Sequence, residues 1–393
     1  MIKIRTLDQL SFAPGTRVFY RVDYNVPLDG TTVTDATRIE ETLPTLRILR
    51  ERGAAVVLAS HLGRPKGERK EKYSLKPVRA KLAELIGAEV HWADDCVGID
   101  TSQLGASELM LVENLRFHAG EEKNDAAFAA ELRKLADFYV NDAFGACHRA
   151  HASIDALPRL FSKENAAGGL LLAKELEFLQ KVTNIADRPF VALMGGAKIA
   201  GKIEPLEVLV KLADKVLIGG GMANTFLAAN GIAMGGSLVD QESLDVARRI
   251  TAGNARAEVV LPEDLVVADD MNAPAKIEVV SVAGGLTDAQ KAFDIGPKTV
   301  ERYEAELHGA KTIFWNGPMG VFEKEQFAKG TMAMADAVAH APGAITVVGG
   351  GESVEAVNAS GFADRITHIS TGGGASLEFI SGATLPGVEV LKE

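Results

Sequence analysis

The sequence predicts an α/β protein: two domains, each with a parallel sheet flanked by helices, joined by a connecting helix. Three observations support this. Short β-branched runs alternate with helical periods through both halves, the pattern of repeated βαβ units. The chain has 393 residues, more than one ordinary domain holds. A helical stretch at 170–183 follows Gly168-Gly169 and separates the halves.

In the first half, strands are predicted over 18–22, 55–59, 109–112 and 138–141, and helices within 39–52, 75–86 and 125–136. In the second of these helices Ser74 is the expected N-cap, and Leu75, Val78, Leu82, Leu85 and Ile86 share one face. In the second half, strands are predicted over 190–193, 216–218, 259–261, 277–280, 312–315, 345–348 and 366–369. All three Gly-Gly-Gly runs (219–221, 349–351 and 372–374) fall there. There is no low-complexity segment and no short tandem repeat.

Composition excludes several classes. Hydrophobic residues at 47% and charged residues at 24% rule out disordered and fibrous chains. Lys plus Arg number 42 against 53 Asp plus Glu, a net −11, which argues against nucleic-acid or anionic-membrane partners. Cys96 and Cys147 lack C-x-x-C spacing, so neither a disulfide framework nor a zinc site is expected, and a reducing compartment is. The start lacks the apolar core of a signal peptide and no apolar run approaches a membrane span, so a cytoplasmic protein is expected. Glycine is the unusual count: 39 residues, a tenth of the chain against about 7% in ordinary proteins.

Open parallel sheets bind ligands beyond the carboxyl ends of their strands, so the residues following each run are the informative ones. In the first half they are cationic. Asp23-Tyr24-Asn25 and then Arg38 follow the first strand, and His61-Leu62-Gly63-Arg64 the second. Arg116 follows the third; His148, Arg149 and His151 follow the fourth. Guanidinium forks match phosphate and carboxylate oxygens bidentately, so the pattern points to a small ligand carrying several negative charges.

In the second half the strands run into glycine: Gly195-Gly196 ahead of Lys198 and Lys202, Gly219–221, Gly349-Gly350-Gly351 before Glu352, and Gly372-Gly373. Glycine lets the backbone approach phosphate oxygens, and helix N-termini add their dipole, so four such turns point to a nucleotide. Lys198 and Lys202, four apart, are expected on one helix face, where an anion would relieve their repulsion. Neither G-x-x-x-x-G-K-[ST] nor G-x-G-x-x-G occurs, which excludes a Walker-type NTPase and removes the fingerprint of a dinucleotide dehydrogenase. Mg²⁺ accompanies a nucleotide, and Glu352 is the best-placed carboxylate for it; Glu323, in the 315–323 segment, could take ribose hydroxyls.

From end to end the chain resembles the bacterial phosphoglycerate kinases. The matching stretches are RVDYNVPLDG, TDATRIEETLPTL, SHLGRPKG, ENLRF and NDAFGACHRAHAS, then GGAKIAGKIEPL, GGGMANTF, DIGPKT, WNGPMGVFE, GGGES and ISTGGGASLEF. The resemblance implies two Rossmann-like lobes: a 3-phosphoglycerate domain at 1–169, a hinge helix at 170–187, and a nucleotide domain at 188–376. A tail at 377–393 would return to the first domain. It places substrate on Asp23, Tyr24, Asn25, Arg38, His61, Leu62, Gly63, Arg64, Arg116 and Arg149. The nucleotide falls on Gly195, Gly196, Lys198, Lys202, Gly219, Asn316, Pro318, Glu323, Gly349, Gly350, Gly351 and Glu352. Arg38, Lys198, Lys202 and the amides around Gly372 and Gly373 would stabilise the transferring phosphoryl group.

One departure stands out: the family usually has aspartate where this chain has Glu352. The extra methylene keeps the charge but moves the carboxylate, and Mg²⁺ demands near-octahedral geometry, so metal binding is expected to survive in an altered arrangement. Tyr24 replaces the commoner phenylalanine or leucine, with no expected effect.

The expected reaction is reversible phosphoryl transfer between 1,3-bisphosphoglycerate and ADP, giving 3-phosphoglycerate and ATP. It requires positioning and cations rather than a nucleophilic side chain or a general base. Domain closure about the 170–183 helix and Ser370-Thr371 would bring the substrates together, and a monomer is expected from the resemblance. The competing readings are an anion- and nucleotide-binding protein without turnover, and an NAD-dependent dehydrogenase.

Overall fold

The computed structural model describes residues 2–184, 187–253 and 256–393. The chain divides into two units, Met1–Glu177 together with Thr384–Glu393, and Phe178–Ala383.

The first unit is built on β1 (Arg17–Arg21), a hairpin of β2 (Leu28–Asp29) and β3 (Thr32–Val33), α1 (Thr37–Glu40), α2 (Leu43–Glu51), β4 (Ala55–Ala59), α3 (Lys76–Ile86), β5 (Val90–Ala93), β6 (Leu109–Val112), α4 (Ala119–Glu122), α5 (Ala126–Arg133), β7 (Phe138–Asn141) and β8 (Ala166–Gly168). Six strands form one sheet in the order β5-β6-β4-β1-β7-β8, every pair parallel. All five residues of β4 are buried, as a strand covered by helices on both faces requires. The chain leaves β1 toward β4 on one side and later returns to β7 on the other, so the strand order reverses at β1. Such a reversal leaves a crevice at the carboxyl ends.

Two helices depart from expectation. The predicted helix at 39–52 is broken into α1 and α2, because Pro44 in the first turn of α2 cannot donate to the carbonyl of Glu40. At α3, Ser74 is not the N-cap. Its hydroxyl donates to the buried carboxylate of Glu113 at 2.7 Å, and Glu113 also accepts the Leu75 amide at 2.9 Å. Strands β5 and β8 had no counterpart in the prediction.

Helix α6 (Leu170–Thr183) occupies the stretch read as the connector, and the first unit takes in its first two turns, to Glu177. Its opening amides are held from α2 and from the loop after β7: Leu170 donates to Thr45 Oγ1 and Leu172 to Asp142 Oδ1, each at 2.9 Å. Asp142 also accepts from Tyr20 Oη at 2.7 Å, and burial pushes its carboxyl up to about 6 against these bonds.

The second unit contains β9 (Phe190–Met194), α7 (Ile203–Leu212), β10 (Lys215–Ile218), α8 (Gly220–Ala229), α9 (Leu244–Ala252), β11 (Glu258–Val260), β12 (Asp264–Ala268), β13 (Ile277–Ser281), β14 (Lys291–Ile295), α10 (Pro297–His308), β15 (Thr312–Asn316), α11 (Lys329–Ala339), β16 (Ile345–Gly349), α12 (Gly351–Ser360), β17 (His368–Ile369) and α13 (Gly374–Ile380). Its parallel sheet runs β11-β10-β9-β15-β16-β17, with the order reversing between β9 and β15. The predicted strand at 277–280 does not join it. It is β13, paired antiparallel with β12 in a separate sheet of order β13-β12-β14.

The last residues, with α14 (Pro386–Glu389), belong to the first unit: Arg5 N–H donates to Leu391 O at 3.0 Å, and Ile4 pairs with Lys392. Residues 377–383, assigned to that tail from the sequence, lie instead in the second unit, where α13 ends at Ile380.

Candidate active site

At the carboxyl ends of β1 and β4 the first unit gathers charge. Asp23 Oδ2 accepts from Arg38 at 2.5 Å, and its other oxygen lies 3.7 Å from His61 Nδ1. Burial alone would raise the Asp23 carboxyl. The guanidinium groups of Arg38 and Arg21, with the Asn25 amide, outweigh it and hold the group at about 2. His61 is buried, and burial drives its pKa well below the ordinary value; Arg116, Arg21 and Arg38 add to this against the pull of Asp23. The ring is therefore neutral, and three guanidinium groups lie within electrostatic range of it.

The loop after β4 is clamped from both sides. Gly63 N–H donates to Asn25 Oδ1 and Gly63 O accepts from Arg116 Nη1, each at 2.9 Å. Leu62 is buried and its carbonyl accepts from Asn114 Nδ2 at 2.8 Å. Arg116 is itself buried; its Nε has no hydrogen-bond partner among the described residues and lies 3.8 Å from Glu122 Oε1. Arg149 is exposed and donates to His148 Nε2 at 3.1 Å. Arg64 is exposed and makes no ion pair among the described residues, so contacts with the others do not tie it to the cluster. Tyr24 differs from the expectation: its side chain is in the core with its hydroxyl on Thr42 Oγ1 at 2.9 Å, and its amide donates to Ser60 Oγ. It shapes the loop and presents no side chain to a ligand.

Sequence reasoning missed Arg21. It lies inside β1, fully buried, donating to Ser153 Oγ at 2.8 Å, to the Val22 carbonyl, and to His61 Nδ1 at 3.2 Å. Ser153 in turn donates to the buried carboxylate of Glu121 at 2.6 Å. The signal was an arginine in an otherwise apolar strand, which can be buried only if paired. His151 is buried, its Nδ1 without a hydrogen-bond partner among the described residues, and its pKa is lowered to about 3 by burial first and then by Arg116, Arg21, Arg149 and His148.

In the second unit the loops after β9 and β15 lie against each other at the reversal of strand order. Gly195 N–H donates to Asn316 O and Gly196 N–H to Pro318 O, both at 2.9 Å. A Cβ on Gly195 would sit 2.1 Å from the Pro318 oxygen, so only glycine permits this approach. Asn316 is buried and joins β15 to β16 through Nδ2 to Gly349 O at 2.9 Å. The triple glycines are helix starts: Gly219, Gly350 and Gly373 are the N-caps of α8, α12 and α13, with Gly350 at φ +91.

A cavity of about 650 Å³ opens over these loops. Of the predicted nucleotide residues, Gly196, Pro318, Glu323 and Glu352 line it, with Gly220 and Gly221 from the first triple glycine. Gly195, Gly219, Asn316 and Gly349 to Gly351 form the scaffold beneath, while Lys198, Gly372 and Gly373 are not part of its wall. The shared helix face expected for Lys198 and Lys202 does not exist. Both precede α7, because Pro205 in its first turn cannot bond back to residue 201. Lys198 is exposed; Lys202 Nζ donates to Gly195 O at 2.9 Å, and burial lowers its pKa despite the nearby charge of Glu352.

The opposite wall was not foreseen. Leu238, Val239, Met271 and Phe293 make it apolar, while Asn224 lines it with Nδ2 bonded to Leu238 O. Phe293 belongs to β14, whose mixed KAFDI composition hides it as a strand. Volume, one apolar wall and a floor of backbone amides suit a nucleotide. Three carboxylates line the cavity, Asp294, Glu323 and Glu352. Asp294 accepts the Gly330 and Ile295 amides, and burial pushes it up to about 7. Glu352, in the first turn of α12, is exposed and has no hydrogen bond or ion pair among the described residues. Glu323 is likewise exposed and without such a partner among the described residues, so burial separates Asp294 from the other two.

The phosphoglycerate kinase family model matches residues 7–383. A phosphoglycerate kinase of Moorella thermoacetica is 51% identical over 383 residues, 96% of each chain, and one of Solibacter usitatus is 49% identical over 397 residues, 99% of each. The solved phosphoglycerate kinase of Coxiella burnetii superposes with a TM-score of 0.88 at 36% identity, covering 99% of both chains.

Proposed function

The chain belongs to the phosphoglycerate kinase family, and from that premise we infer that its first unit binds the phosphoglycerate and its second the nucleotide. The reaction is the reversible transfer of a phosphoryl group between 1,3-bisphosphoglycerate and ADP, giving 3-phosphoglycerate and ATP, a step of glycolysis. The observation that carries the residue assignment is the convergence of Arg21, Arg38 and Arg116 on a neutral His61 at the ends of parallel strands.

In the direction of ATP use, a carboxylate oxygen of 3-phosphoglycerate attacks the γ-phosphorus while the bond to the β-phosphate oxygen breaks. The products are the acyl phosphate and ADP. The acceptor is ionised near neutral pH, so the protein supplies no base. Asp23, Asn25, His61, the Leu62-Gly63 backbone, Arg64, Arg116 and Arg149 hold the substrate; Arg38 lies among them as a cation for the transferring group. On the nucleotide side, Lys198, Lys202 and the amides at Gly372 and Gly373 meet the same charge, which builds on the equatorial oxygens. Glu323 takes the ribose. Mg²⁺ bound with the nucleotide would be held by Glu352 and would neutralise charge on the phosphate oxygens.

Because the two ligands belong to different units, we infer that transfer waits on a domain movement about α6 and Ser370-Thr371. Small-angle scattering should show compaction only with both substrates, and its absence would exclude this. No helix among the described residues is long and apolar enough to cross a membrane. A monomeric cytoplasmic enzyme is the reading we propose, its location supported by the cysteine usage.

The decisive assay supplies 3-phosphoglycerate and MgATP and couples product to NADH oxidation through glyceraldehyde-3-phosphate dehydrogenase. NADH loss should need both substrates and the metal, and should vanish in Arg38→Ala. Saturable binding of both ligands without turnover would instead establish a binding protein.

A further inference from the structure

We propose that Asp95, Cys96 and His118 form a binding site for a borderline, thiolate-seeking divalent cation of the Zn²⁺ class, separate from the residues of the phosphoryl transfer. The ligand atoms of the three side chains all lie within 4.8 Å of one another. Asp95 and Cys96 follow β5, and His118 precedes α4 beyond the end of the neighbouring strand β6. The sheet therefore assembles a set that sequence spacing does not reveal, since C-x-x-C is absent.

The donor set is one sulfur, one imidazole nitrogen and one carboxylate oxygen. Such a mixture disfavours Mg²⁺ and Ca²⁺, which take oxygen, and suits Zn²⁺, Co²⁺ or Cd²⁺. Three protein ligands leave a fourth position for water. The orientation is already in place. His118 Nε2 lies 2.6 Å from Asp95 Oδ1, its ring stacks on Phe128 at 5.2 Å, and the Cys96 amide donates to the same carboxylate at 2.6 Å. Cys96 is 1% exposed, whereas the side chains of Asp95 and His118 are 49% and 32% exposed, so the thiol is the floor and the other two are a movable rim.

Tetrahedral bonds of about 2.0–2.3 Å separate neighbouring ligand atoms by roughly 3.3–3.8 Å. The cation would therefore replace the Asp95–His118 hydrogen bond and part the two groups by about 1 Å, a rotation open to half-exposed side chains. The thiol proton leaves to solvent as the thiolate binds.

Co²⁺ tests this, because only a thiolate ligand gives it an intense near-ultraviolet charge-transfer absorption. Cobalt bound by carboxylates near the nucleotide site gives none. Titration of the full chain, reduced with a phosphine, should produce this absorption and saturate at one equivalent, and Zn²⁺ should bleach it. Cys96→Ser should abolish it and Cys147→Ser should leave it intact. Asp95→Asn and His118→Ala should each weaken apparent affinity at least tenfold. No charge-transfer absorption from folded protein, or absorption that survives Cys96→Ser, would overturn the proposal. If Cys96→Ser fails to fold by circular dichroism, the two rim variants decide: unchanged affinity in both would overturn it, and tenfold loss in either would support it.

Discussion

The Arg21 guanidinium donates to Nδ1 of His61 at 3.2 Å, inside the first unit. A guanidinium has no acceptor, so Nδ1 must accept and Nε2 must carry the ring proton. With burial and the surrounding guanidinium groups keeping the ring neutral, His61 presents an N–H rather than a cation.

The first prediction follows from that bond. Nitrogen NMR should find His61 as the Nε2–H tautomer, without titration between pH 5 and 8. Arg21→Met should free the ring to exchange tautomers and raise KM for 3-phosphoglycerate at least tenfold, with KM for nucleotide unchanged. Equal rises in both would mean general damage to the fold.

Arg38→Ala should lower kcat by at least about a hundredfold, the size expected when a preorganised cation is lost from a transition state. It should leave the thermal midpoint within a few degrees. The same variant should raise the pKa of Asp23, which loses its nearest cation. Carbon NMR of that carboxyl against pH would measure the shift, and an unmoved value would show that Arg38 is not its principal partner.

Acid should destabilise the protein earlier than carboxylates alone would. His61, well below 6.5, and His151, at about 3, stay neutral in the native chain while the unfolded chain takes protons. Their contribution is complete above pH 6.5 and is lost as pH falls below it. Asp23 adds a loss of about 2 kcal/mol between roughly pH 3.8 and 2. Asp142, at about 6, and Asp294, at about 7, act in the opposite sense, their ionised forms being the costlier ones in the native state. Urea unfolding at pH 7.5, 5.5 and 4.5 should show His151→Asn gaining stability relative to the parent protein as pH falls. A difference that does not change with pH would remove His151 from the account.

Gly195→Ala should push apart the loops after β9 and β15, because the added carbon would meet the Pro318 oxygen at 2.1 Å. Overpacking of this kind costs about 1–3 kcal/mol. Calorimetry should show nucleotide affinity down at least tenfold and 3-phosphoglycerate affinity unchanged. Intact nucleotide binding would mean the loops can move without harm to the site.

Glu352→Gln should weaken MgADP about tenfold and leave metal-free ADP unaffected, since among the described residues the glutamate has no hydrogen bond or ion pair to lose. Calorimetry with and without Mg²⁺ separates these. Equal losses would make Glu352 a contact to nucleotide rather than to metal.

Legibility in the sequence followed burial. Strands β4, β6 and β7 were predicted to the residue because they are short apolar runs with both faces covered. β12 and β14 were missed because Asp264 and Lys291 open them and Asp294 interrupts the second. Periodicity also carries no direction, which is how β13 came to be expected in a parallel sheet. At the site, the residues after strands were readable because loops there are free to carry charge. Arg21 was not, since it lies within a strand and its partner Ser153 is 132 positions away. The apolar wall of the cavity was hidden likewise: Leu238 and Phe293 look like ordinary core until the chain is folded.

The second unit, Phe178–Ala383, interrupts the first, whose last piece resumes at Thr384. During synthesis the partner of the Arg5 amide, Leu391, emerges only after the whole insert has been made. The ribosome therefore releases a complete nucleotide unit while the earlier-made unit still lacks its closing segment. Domains that fold as they emerge would here finish in the reverse of their starting order. A chain stalled before Thr384 would hold a finished second unit beside a first one that is still open.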